Sequence, residues 1–444
     1  MAWSPRRCQY DPTVPEQLVQ HYLDHLMAEY APVTDGALAN YIPELTQVDP
    51  NGFGMTLSAS DGYLYEAGDA RTEFTIQSIS KPFTYALALD QVGQEAVDAK
   101  IGVEPSGDAF NEISVDQHTK IPKNPMINAG AIAAVSLIPG ASPDERFDKL
   151  RAFYSACAGR PLELDEDVYR SEKATGNRNR AIAYMLTSFG VLEDPDDVLD
   201  VYFRQCSLKV TSVDLARMAA TLARGGINPQ TGRRVTDAKV VQRTLSVMVT
   251  CGMYNGAGDW VSEVGMPAKS GVGGGIAAVL PGQLGIGVYS PLLDGRGNSV
   301  RGVLLCRSLS QRLGLHFLSF GRQSRSTIRA VYDAADGVRV YEMHGDLMFA
   351  GAERLLRTAD YDSDAFGVAI LDVTRVDTIN DPARALLANM STALRAAGKQ
   401  GFIVDPDAAV VLADRGFDDV VFTTLDDAVA AAQEWLRANP SGWL

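Results

Sequence analysis

The alternation of apolar and polar positions predicts two strands joined by a tight turn near the start of the chain. Residues 54–60 and 63–67 lie on either side of an Asp-Gly pair, which favours the primed turn of a β-hairpin. Apolar positions at helical spacing predict a helix over residues 15–29. An apolar, alanine-rich run over residues 74–89 predicts a second, buried helix that begins near Ser78.

A mostly helical stretch follows, from residue 91 to residue 250, with interruptions rich in glycine, proline and asparagine. Strand-like segments return at 267–280 and 284–289, on either side of a Pro-Gly pair, and predict a second antiparallel pair. A helix is predicted over residues 299–313. Because strands enclose a long helical region, we predict an α/β (α+β) fold with a mixed antiparallel sheet and a helical subdomain.

The pattern changes after about residue 320. We predict a first domain over residues 1–320, a polar linker over 321–327 and a small α/β domain over 328–444. This last part contains 19 acidic and 10 basic residues, so it carries most of the formal net charge of −15. Its predicted strands cover residues 338–343, 367–373, 401–404 and 419–423, and its predicted helices cover 350–358, 382–397, 408–413 and 425–438.

Composition narrows the class of protein. A chain of 444 residues is too long for one ordinary core, and its 46% hydrophobic and 21% charged residues are typical of a soluble globular protein. Neither a signal peptide nor a run of eighteen apolar residues is present, so we expect a cytoplasmic protein with no membrane span. The five scattered cysteines favour reduced thiols over a zinc site. The negative charge disfavours a nucleic-acid partner.

Ser78 and Lys81 form the first candidate for chemistry. In the first turn of a helix, residues three apart share one face. A buried lysine that loses its proton can accept the proton of the serine hydroxyl, and the positive end of the helix favours the developing negative charge. Alone the pair is weak, since ten lysines give roughly half a chance match to Ser-x-x-Lys.

The histidines offer no comparable candidate. None is a strong candidate for a base, which disfavours a serine-histidine-aspartate triad. His21 and His25 are four residues apart on the first predicted helix. They fit an ordinary surface helix better than a metal site, because no carboxylate motif accompanies them.

Short polar and glycine-containing blocks recur through the first 320 residues. They are Tyr41-Ile-Pro-Glu-Leu45, Gln77-Ser-Ile-Ser-Lys81-Pro82, Glu104-Pro-Ser-Gly107, Asn124-Pro-Met-Ile-Asn-Ala-Gly-Ala-Ile132, Ser171-Glu172, Asn177-Arg-Asn179, Tyr202-Phe203, Cys251-Gly-Met-Tyr254 and Pro267-Ala-Lys-Ser-Gly-Val272. In this order they resemble the serine-dependent glutaminase family, whose fold is related to β-lactamases and penicillin-binding proteins. The resemblance covers roughly residues 15–315.

The resemblance implies hydrolysis of L-glutamine to L-glutamate and ammonia through a γ-glutamyl ester, with no metal and no organic cofactor. Ser78 would attack the side-chain amide carbon, and Lys81 would hold the proton relay. Tyr254 would exchange protons with Ser78 and the leaving amine, supported by Tyr41. The backbone amides of Ser78 and Val272 would form the oxyanion hole.

The resemblance also implies a substrate pocket. Its residues would be Gln77, Ser78, Asn128, Glu172, Asn179, Tyr202, Tyr254 and Val272. Glu172 would bind the α-ammonium group of the substrate. Asn128, Asn179 and Tyr202 would donate to the carboxylate or the amide. Lys269 stays open: it is either a second site lysine, as in the related Lys-Thr/Ser-Gly motif, or a structural residue of its strand.

Residues 328–444 resemble the sulfate-transporter and anti-sigma-factor-antagonist (STAS) fold, in pattern more than in sequence. Residues 369–376 fall where the central strand of that fold would lie. This leaves room for an unknown protein partner of the STAS-like domain. The glutaminase resemblance implies a homo-oligomer, a dimer or a tetramer.

Two other classes of function stay open at this point. The first is a penicillin-recognising acylase or β-lactamase, which uses the same Ser-x-x-Lys chemistry but would require export. The missing signal peptide and the Glu172 and Asn179 pair disfavour it. The second is a non-enzymatic regulatory scaffold, which the intact set of Ser78, Lys81 and Tyr254 disfavours.

Overall fold

The computed structural model describes residues 15–107, 115–116, 118–318, 328–347, 349–362, 365–379, 381–406 and 421–439. The chain divides into two compact units, Met1–Ser319 and Phe320–Leu444. The predicted linker at 321–327 and the predicted helix at 408–413 lie outside the described residues. Within the described part, no helix has both the length and the apolar character needed to cross a membrane.

The first unit combines short strands with many helices. Its strands are β1 (Gly54–Ala59), β2 (Leu64–Gly68), β3 (Phe74–Thr75), β4 (Lys209–Val210), β5 (Ala268–Gly271), β6 (Gly275–Leu280) and β7 (Leu284–Tyr289). Its helices are α1 (Pro15–Tyr30), α2 (Pro43–Thr46), α3 (Lys81–Val92), α4 (Gln94–Asp98), α5 (Asn128–Ser136), α6 (Pro143–Ala158), α7 (Glu166–Thr175), α8 (Asn177–Ser188), α9 (Pro195–Cys206), α10 (Ser212–Ala223), α11 (Ala238–Cys251), α12 (Ala257–Glu263) and α13 (Val300–Leu313).

Five of these strands form one antiparallel sheet in the order β2-β1-β7-β6-β5. The predicted hairpin is confirmed by the pairing of Ser58 with Leu64, and the second predicted pair by that of Leu280 with Leu284. The first and last hairpins meet in the middle of the sheet, where Gly54 pairs with Tyr289. All neighbouring strands of this sheet are antiparallel, so the predicted antiparallel sheet with helices is confirmed and no parallel pair is mixed into it.

Both faces of this sheet are buried. Ala277 and Val279 join the core of the helical subdomain. Ile276 and Ala278 face the other way and pack with residues of α1 and α13, such as Leu23. Because side chains alternate along a strand, an almost continuous apolar run fills two separate cores.

The segment before α3 differs from the prediction. The α-helix begins at Lys81, and Ser78 lies in a preceding 3₁₀ turn, Gln77–Ser80. β3 leads into this turn and pairs with β4. Gln77 has a φ of +48°, a left-handed conformation that cannot continue a right-handed helix. Ser78 lies in the turn that precedes the α-helix, and the α-helix begins three residues later than predicted.

The second unit is a five-stranded sheet with helices. Its elements are β8 (Ile328–Ala335), β9 (Val338–Leu347), α14 (Phe349–Tyr361), β10 (Val368–Ile379), α15 (Asp381–Ala396), β11 (Gln400–Val404), β12 (Val421–Phe422) and α16 (Leu425–Ala438). The order is β12-β11-β10-β9-β8, with β8 antiparallel to its neighbour and the other pairs parallel. The sequence did not indicate β8, because most of its positions are exposed and show no apolar alternation.

Helix α10 lies unusually close to the sheet, and glycines in β7 permit this. A Cβ atom at Gly287 would lie 2.0 Å from the Ser212 carbonyl oxygen, and one at Gly285 would lie 2.2 Å from the Ala220 nitrogen. Both contacts are with backbone atoms, which cannot rotate away. The helix and the strand would therefore have to separate to accept any side chain at these positions.

Replacing Gly287 by alanine should lower the thermal unfolding midpoint, because overpacking of this kind costs about 1–3 kcal/mol. Gly258→Ala is the matched control: a Cβ atom there meets open space within helix α12. That variant should unfold at the same or a higher temperature, since alanine favours a helix. Equal midpoints for both variants would contradict the packing described here.

Candidate active site

The turn that carries Ser78 is anchored by the backbone that precedes it. The Ile76 amide donates to the Leu208 carbonyl at 2.8 Å, continuing the pairing of β3 with β4. Gln77 then adopts its positive φ, which is uncommon for a residue other than glycine. Strained residues of this kind persist where the surroundings over-determine them, and they cluster at functional sites. Ser78 is buried, and it opens onto a cavity of about 220 Å³.

Lys81 contacts Ser78 directly. Its Nζ atom donates to Ser78 Oγ at 3.0 Å and to Asn128 Oδ1 at 2.6 Å. The lysine is fully buried. Burial lowers the pKa of Lys81 to about 8, opposed by the nearby Cys206 thiol and Glu172 carboxylate. A lysine near this pKa is neutral often enough at moderate pH to accept a proton.

Tyr254 lies on the other side of Ser78, and its φ of +54° is a second positive value beside the site. Its hydroxyl is hydrogen-bonded to the Ser78 side chain and donates to the Ser270 carbonyl at 3.1 Å. Burial raises the pKa of Tyr254 to about 12. The phenol therefore holds its proton until a stronger base is generated next to it.

Lys269 is close to Tyr254 but behind it. The Nζ atom lies 4.0 Å from the centre of the Tyr254 ring and donates to the Ser270 carbonyl at 2.7 Å. Burial, and then the charge of Lys81, hold the pKa of Lys269 well below its usual range. Lys269 contacts the tyrosine ring but does not line the cavity, so the choice between a site lysine and a structural residue of the strand stays open.

Glu172, Tyr41 and Gln77 line the same cavity and contact one another. The Tyr41 hydroxyl lies 2.9 Å from Gln77 Oε1 and 3.2 Å from Glu172 Oε1. Although 45% of the Tyr41 surface is exposed, this hydroxyl faces inward. Burial raises the pKa of Glu172 to about 7, opposed by hydrogen bonds from Gln77 and Tyr41. A carboxylate of this kind is ready to bind a cationic group.

Asn128, Asn179 and Tyr202 complete the enclosure. Asn128 begins α5, and its Nδ2 atom donates to Asn179 Oδ1, on α8, at 2.9 Å. Tyr202, on α9, is almost fully buried. Together with the lysine contact, these bonds link Lys81 to the wall of the cavity through two amide side chains.

The turn after β5 supplies the last predicted position. Val272 lies in this turn, one residue beyond the strand in which the sequence placed it. A Cβ atom at Gly273 would lie 2.6 Å from the Thr75 carbonyl oxygen, and one at Gly271 would lie 3.0 Å from the Ile76 carbonyl oxygen. The glycines therefore let the Val272 backbone approach the segment that carries Ser78.

The cavity gathers most of the predicted residues and adds four that the sequence reasoning missed, one of which is Gly176. The predicted residues that line it are Tyr41, Gln77, Ser78, Asn128, Glu172, Asn179, Tyr202 and Val272. The additional ones include Thr175, Arg178 and Cys206. Arg178 lies between Asn177 and Asn179 in one of the polar blocks of the sequence, and this position was the signal that could have identified it as a site residue. Cys206 follows Tyr202 by one helical turn.

The surroundings include a second cavity, and they were also a possible place for a metal ion. A larger cavity of about 630 Å³ is lined by Tyr254 and by α11 and α12, but it contains no other predicted site residue. Among the described side chains, no group of three or more histidine, cysteine, aspartate or glutamate residues could hold a metal ion.

Comparisons with known proteins agree on one family. The family model described as Glutaminase matches residues 36–318. Glutaminase 2 of Bradyrhizobium diazoefficiens is 46% identical over 85% of this chain, which spans 64% of that protein. Glutaminase of Corynebacterium glutamicum is 44% identical over 90% of this chain and 97% of its own length. Glutaminase of Microcystis aeruginosa is 49% identical, but its match covers 69% of this chain and 91% of its own length.

Solved structures extend the likeness to the fold of both units. A crystal structure of Mglu has a TM-score of 0.81 at 44% identity and covers 88% of this chain and 98% of its own. A structure described as Mglu in its glutamate form has a TM-score of 0.80 at 40% identity, with the same two coverages. The chain therefore belongs to the glutaminase family and is an enzyme of that family.

Proposed function

We propose that the chain is an L-glutaminase that hydrolyses L-glutamine to L-glutamate and ammonia through a γ-glutamyl ester on Ser78. The observation that carries this proposal is the Ser78 hydroxyl, which is hydrogen-bonded to Lys81 and to Tyr254 and lines the same cavity as Glu172. A nucleophile held between a base and a proton donor suits acyl transfer.

The first half of the reaction forms the ester. Neutral Lys81 takes the proton of Ser78 Oγ while Oγ bonds to the side-chain amide carbon of glutamine. The backbone N–H groups of Ser78 and Val272 stabilise the oxyanion of the tetrahedral intermediate. Tyr254 gives its proton to the amine as the C–N bond breaks and receives the proton that Lys81 holds. Ammonia leaves, and the γ-glutamyl ester remains.

The second half reverses the roles of the same groups. Water enters where ammonia left, loses a proton to neutral Lys81 and bonds to the ester carbon. The tetrahedral intermediate then breaks the bond to Ser78 Oγ, which takes a proton back. L-Glutamate is released and Lys81 is neutral again. Neither half requires a metal ion or an organic cofactor.

Glu172 and the amide side chains select the amino acid. Ionised Glu172 binds the α-ammonium group, supported by the inward hydroxyl of Tyr41. Gln77, Asn128, Asn179 and Tyr202 donate to the carboxylate and the amide, so that an analogue without these groups leaves buried partners unpaired. The similar structure in its glutamate form supports a product of this chemistry.

We also propose that residues 328–444 form a STAS-like domain. Its support is the position of β10, which contains the predicted central segment and lies in the middle of the sheet. A protein partner for this domain, a homo-oligomeric state and a cytoplasmic location stay proposals that follow from the sequence. All the proposed site residues belong to the first unit, so the reaction does not require residues of the second.

Ser78→Ala should reduce ammonia release from glutamine by about 10⁴-fold or more, because it removes the attacking hydroxyl. Ammonia production and the thermal unfolding midpoint would be measured together, and the midpoint should change little. Mass spectrometry of the wild-type protein quenched during turnover should detect the γ-glutamyl ester on the peptide with Ser78. Near-normal turnover by the variant would show that another group is the nucleophile.

The pH dependence should follow two groups. Glu172, with a pKa of about 7, binds the substrate only when ionised, and Lys81, with a pKa of about 8, accepts a proton only when neutral. The value of kcat/KM should therefore rise from pH 6 to above pH 8. Glu172→Gln should raise KM by about 10–10²-fold at pH 8, since a charged hydrogen bond contributes roughly 1.5–3 kcal/mol.

In Glu172→Gln, the rise of kcat/KM near pH 7 should be lost and the rise near pH 8 should remain. Glu166→Gln, which removes the same charge from an exposed position on the same helix, is the control and should retain the wild-type profile. An unchanged KM in Glu172→Gln would sink the assignment of the ammonium contact.

The first unit alone, residues 1–320, should hydrolyse glutamine with a kcat/KM close to that of the whole chain. The match to the glutaminase of Microcystis aeruginosa covers 307 residues and 91% of that protein, which supports an active unit of about this size. Steady-state ammonia release by both proteins would be compared. A folded but inactive first unit would show that the second unit contributes to the reaction.

A further inference from the structure

Four buried polar side chains surround the Ser78 turn in the interior of the first unit. Ser80, Thr84, Tyr154 and Gln205 are each fully buried and belong to four separate elements, the 3₁₀ turn, α3, α6 and α9. None of them lines the cavity. Buried polar groups that are hydrogen-bonded to one another specify a unique local geometry. The mechanism described above does not use any of these four groups.

Their hydrogen bonds converge on the backbone of the turn. The Ser80 hydroxyl donates to the Gln77 carbonyl at 2.6 Å. Gln205 Nε2 contacts Ser80 Oγ at 3.4 Å, and Gln205 Oε1 accepts from Thr84 Oγ1 at 2.7 Å. The Tyr154 hydroxyl donates to the Ser80 carbonyl at 2.8 Å and lies 2.5 Å from Thr84 Oγ1. The four groups thus hold the first and the last carbonyl of the turn, those of Gln77 and Ser80.

The bond to the Gln77 carbonyl has a consequence for the next N–H group. In a trans peptide the C=O and the following N–H point in opposite directions. Because Ser80 holds the Gln77 carbonyl on the buried side, the Ser78 N–H must point to the other side, toward the cavity. This is the N–H group that the proposed mechanism uses as one oxyanion donor.

The Gln77–Ser78 peptide is the unit that this hydrogen bond restrains. Gln77 already has an uncommon φ of +48°, and rotation of the peptide that follows it changes ψ of Gln77 and φ of Ser78. Such a rotation would turn a carbonyl oxygen toward the developing oxyanion. The Tyr41 bond holds only the Gln77 side chain, so the backbone depends on the buried side.

We infer that Ser80 is a positioning residue for the oxyanion hole: its hydroxyl fixes the Gln77–Ser78 peptide, and Gln205, Thr84 and Tyr154 hold that hydroxyl and its turn in place. This inference rests on the proposed function, since it requires the Ser78 N–H to act on an oxyanion. It assigns a role to a residue that never touches the substrate.

Ser80→Ala in the whole chain tests the inference. Loss of one oxyanion donor typically costs about 10²–10³ in rate, and here the donor is misdirected part of the time, so kcat should fall by about 10–10²-fold. The Kd for L-glutamate, whose γ-carboxylate is planar, should stay at the wild-type value. The affinity for a phosphonamide analogue of glutamine, in which a tetrahedral phosphorus carries an anionic oxygen, should fall together with kcat/KM.

The matched control is Ser58→Ala. Ser58 is also a buried serine of the first unit, and its hydroxyl has no hydrogen-bond partner among the described residues. That variant should keep wild-type kcat and wild-type affinity for the phosphonamide. The pH profile of Ser80→Ala should retain the wild-type shape, because the serine does not titrate.

Three outcomes would overturn the inference while wild-type turnover stands: an unchanged kcat, an equal loss of affinity for glutamate and phosphonamide, or a similar loss in Ser58→Ala. If Ser80→Ala does not fold, Gln205→Met removes only the amide that supports Ser80. It should give a smaller loss of kcat with an unchanged glutamate Kd, and an unchanged kcat would overturn the inference. Absence of ammonia release by the wild-type protein would instead overturn the proposed function itself.

Discussion

The complete burial of one lysine is the constraint on which the rest of the site depends. An ammonium group removed from water loses proton affinity, and this brings the pKa of Lys81 close to the moderate pH at which the proposed mechanism needs a base. Burial on this scale needs a large apolar surround, and the helical subdomain provides it, with residues 81–89 of α3 all buried. The helices of the first unit therefore contribute to the electrostatics of the site as well as to the architecture.

The same low-dielectric surroundings act on Glu172 with the opposite sign. They make its ionised form more costly and bring its pKa close to neutrality. The proposed contact with an α-ammonium group would offset that cost. The pKa values of Lys81 and Glu172 are thus both shifted by one property, the exclusion of water, and a change that admits water would disturb both at once.

Local pattern was enough to predict the elements in which it is strong. The Asp-Gly turn between alternating segments indicated β1 and β2, and the ordered polar blocks indicated the residues that now line one cavity. It could not indicate the 3₁₀ turn, because the positive φ of Gln77 is imposed by contacts with β4 and with buried side chains far along the chain. The exposed strand β8 lacked any signal, and Cys206 enters the cavity only through the packing of α9. The roles proposed for the site residues come from the chemistry of their side chains, and the fold contributes by bringing those side chains to one cavity.

The pairing of β1 with β7 has a consequence for how the protein is made. Residues from the start of the first unit find their sheet partners only near its end, as in the pairing of Gly54 with Tyr289. During synthesis from the N-terminus, Ser78 and the helix that follows it emerge long before the strand that leads to the Val272 turn. Contacts of such long range are slow to form, because a large loop must close first. The cavity that Ser78 shares with Val272 therefore cannot be complete until almost the whole first unit has left the ribosome, and the hairpin of β1 and β2 has an unpaired edge for that whole interval.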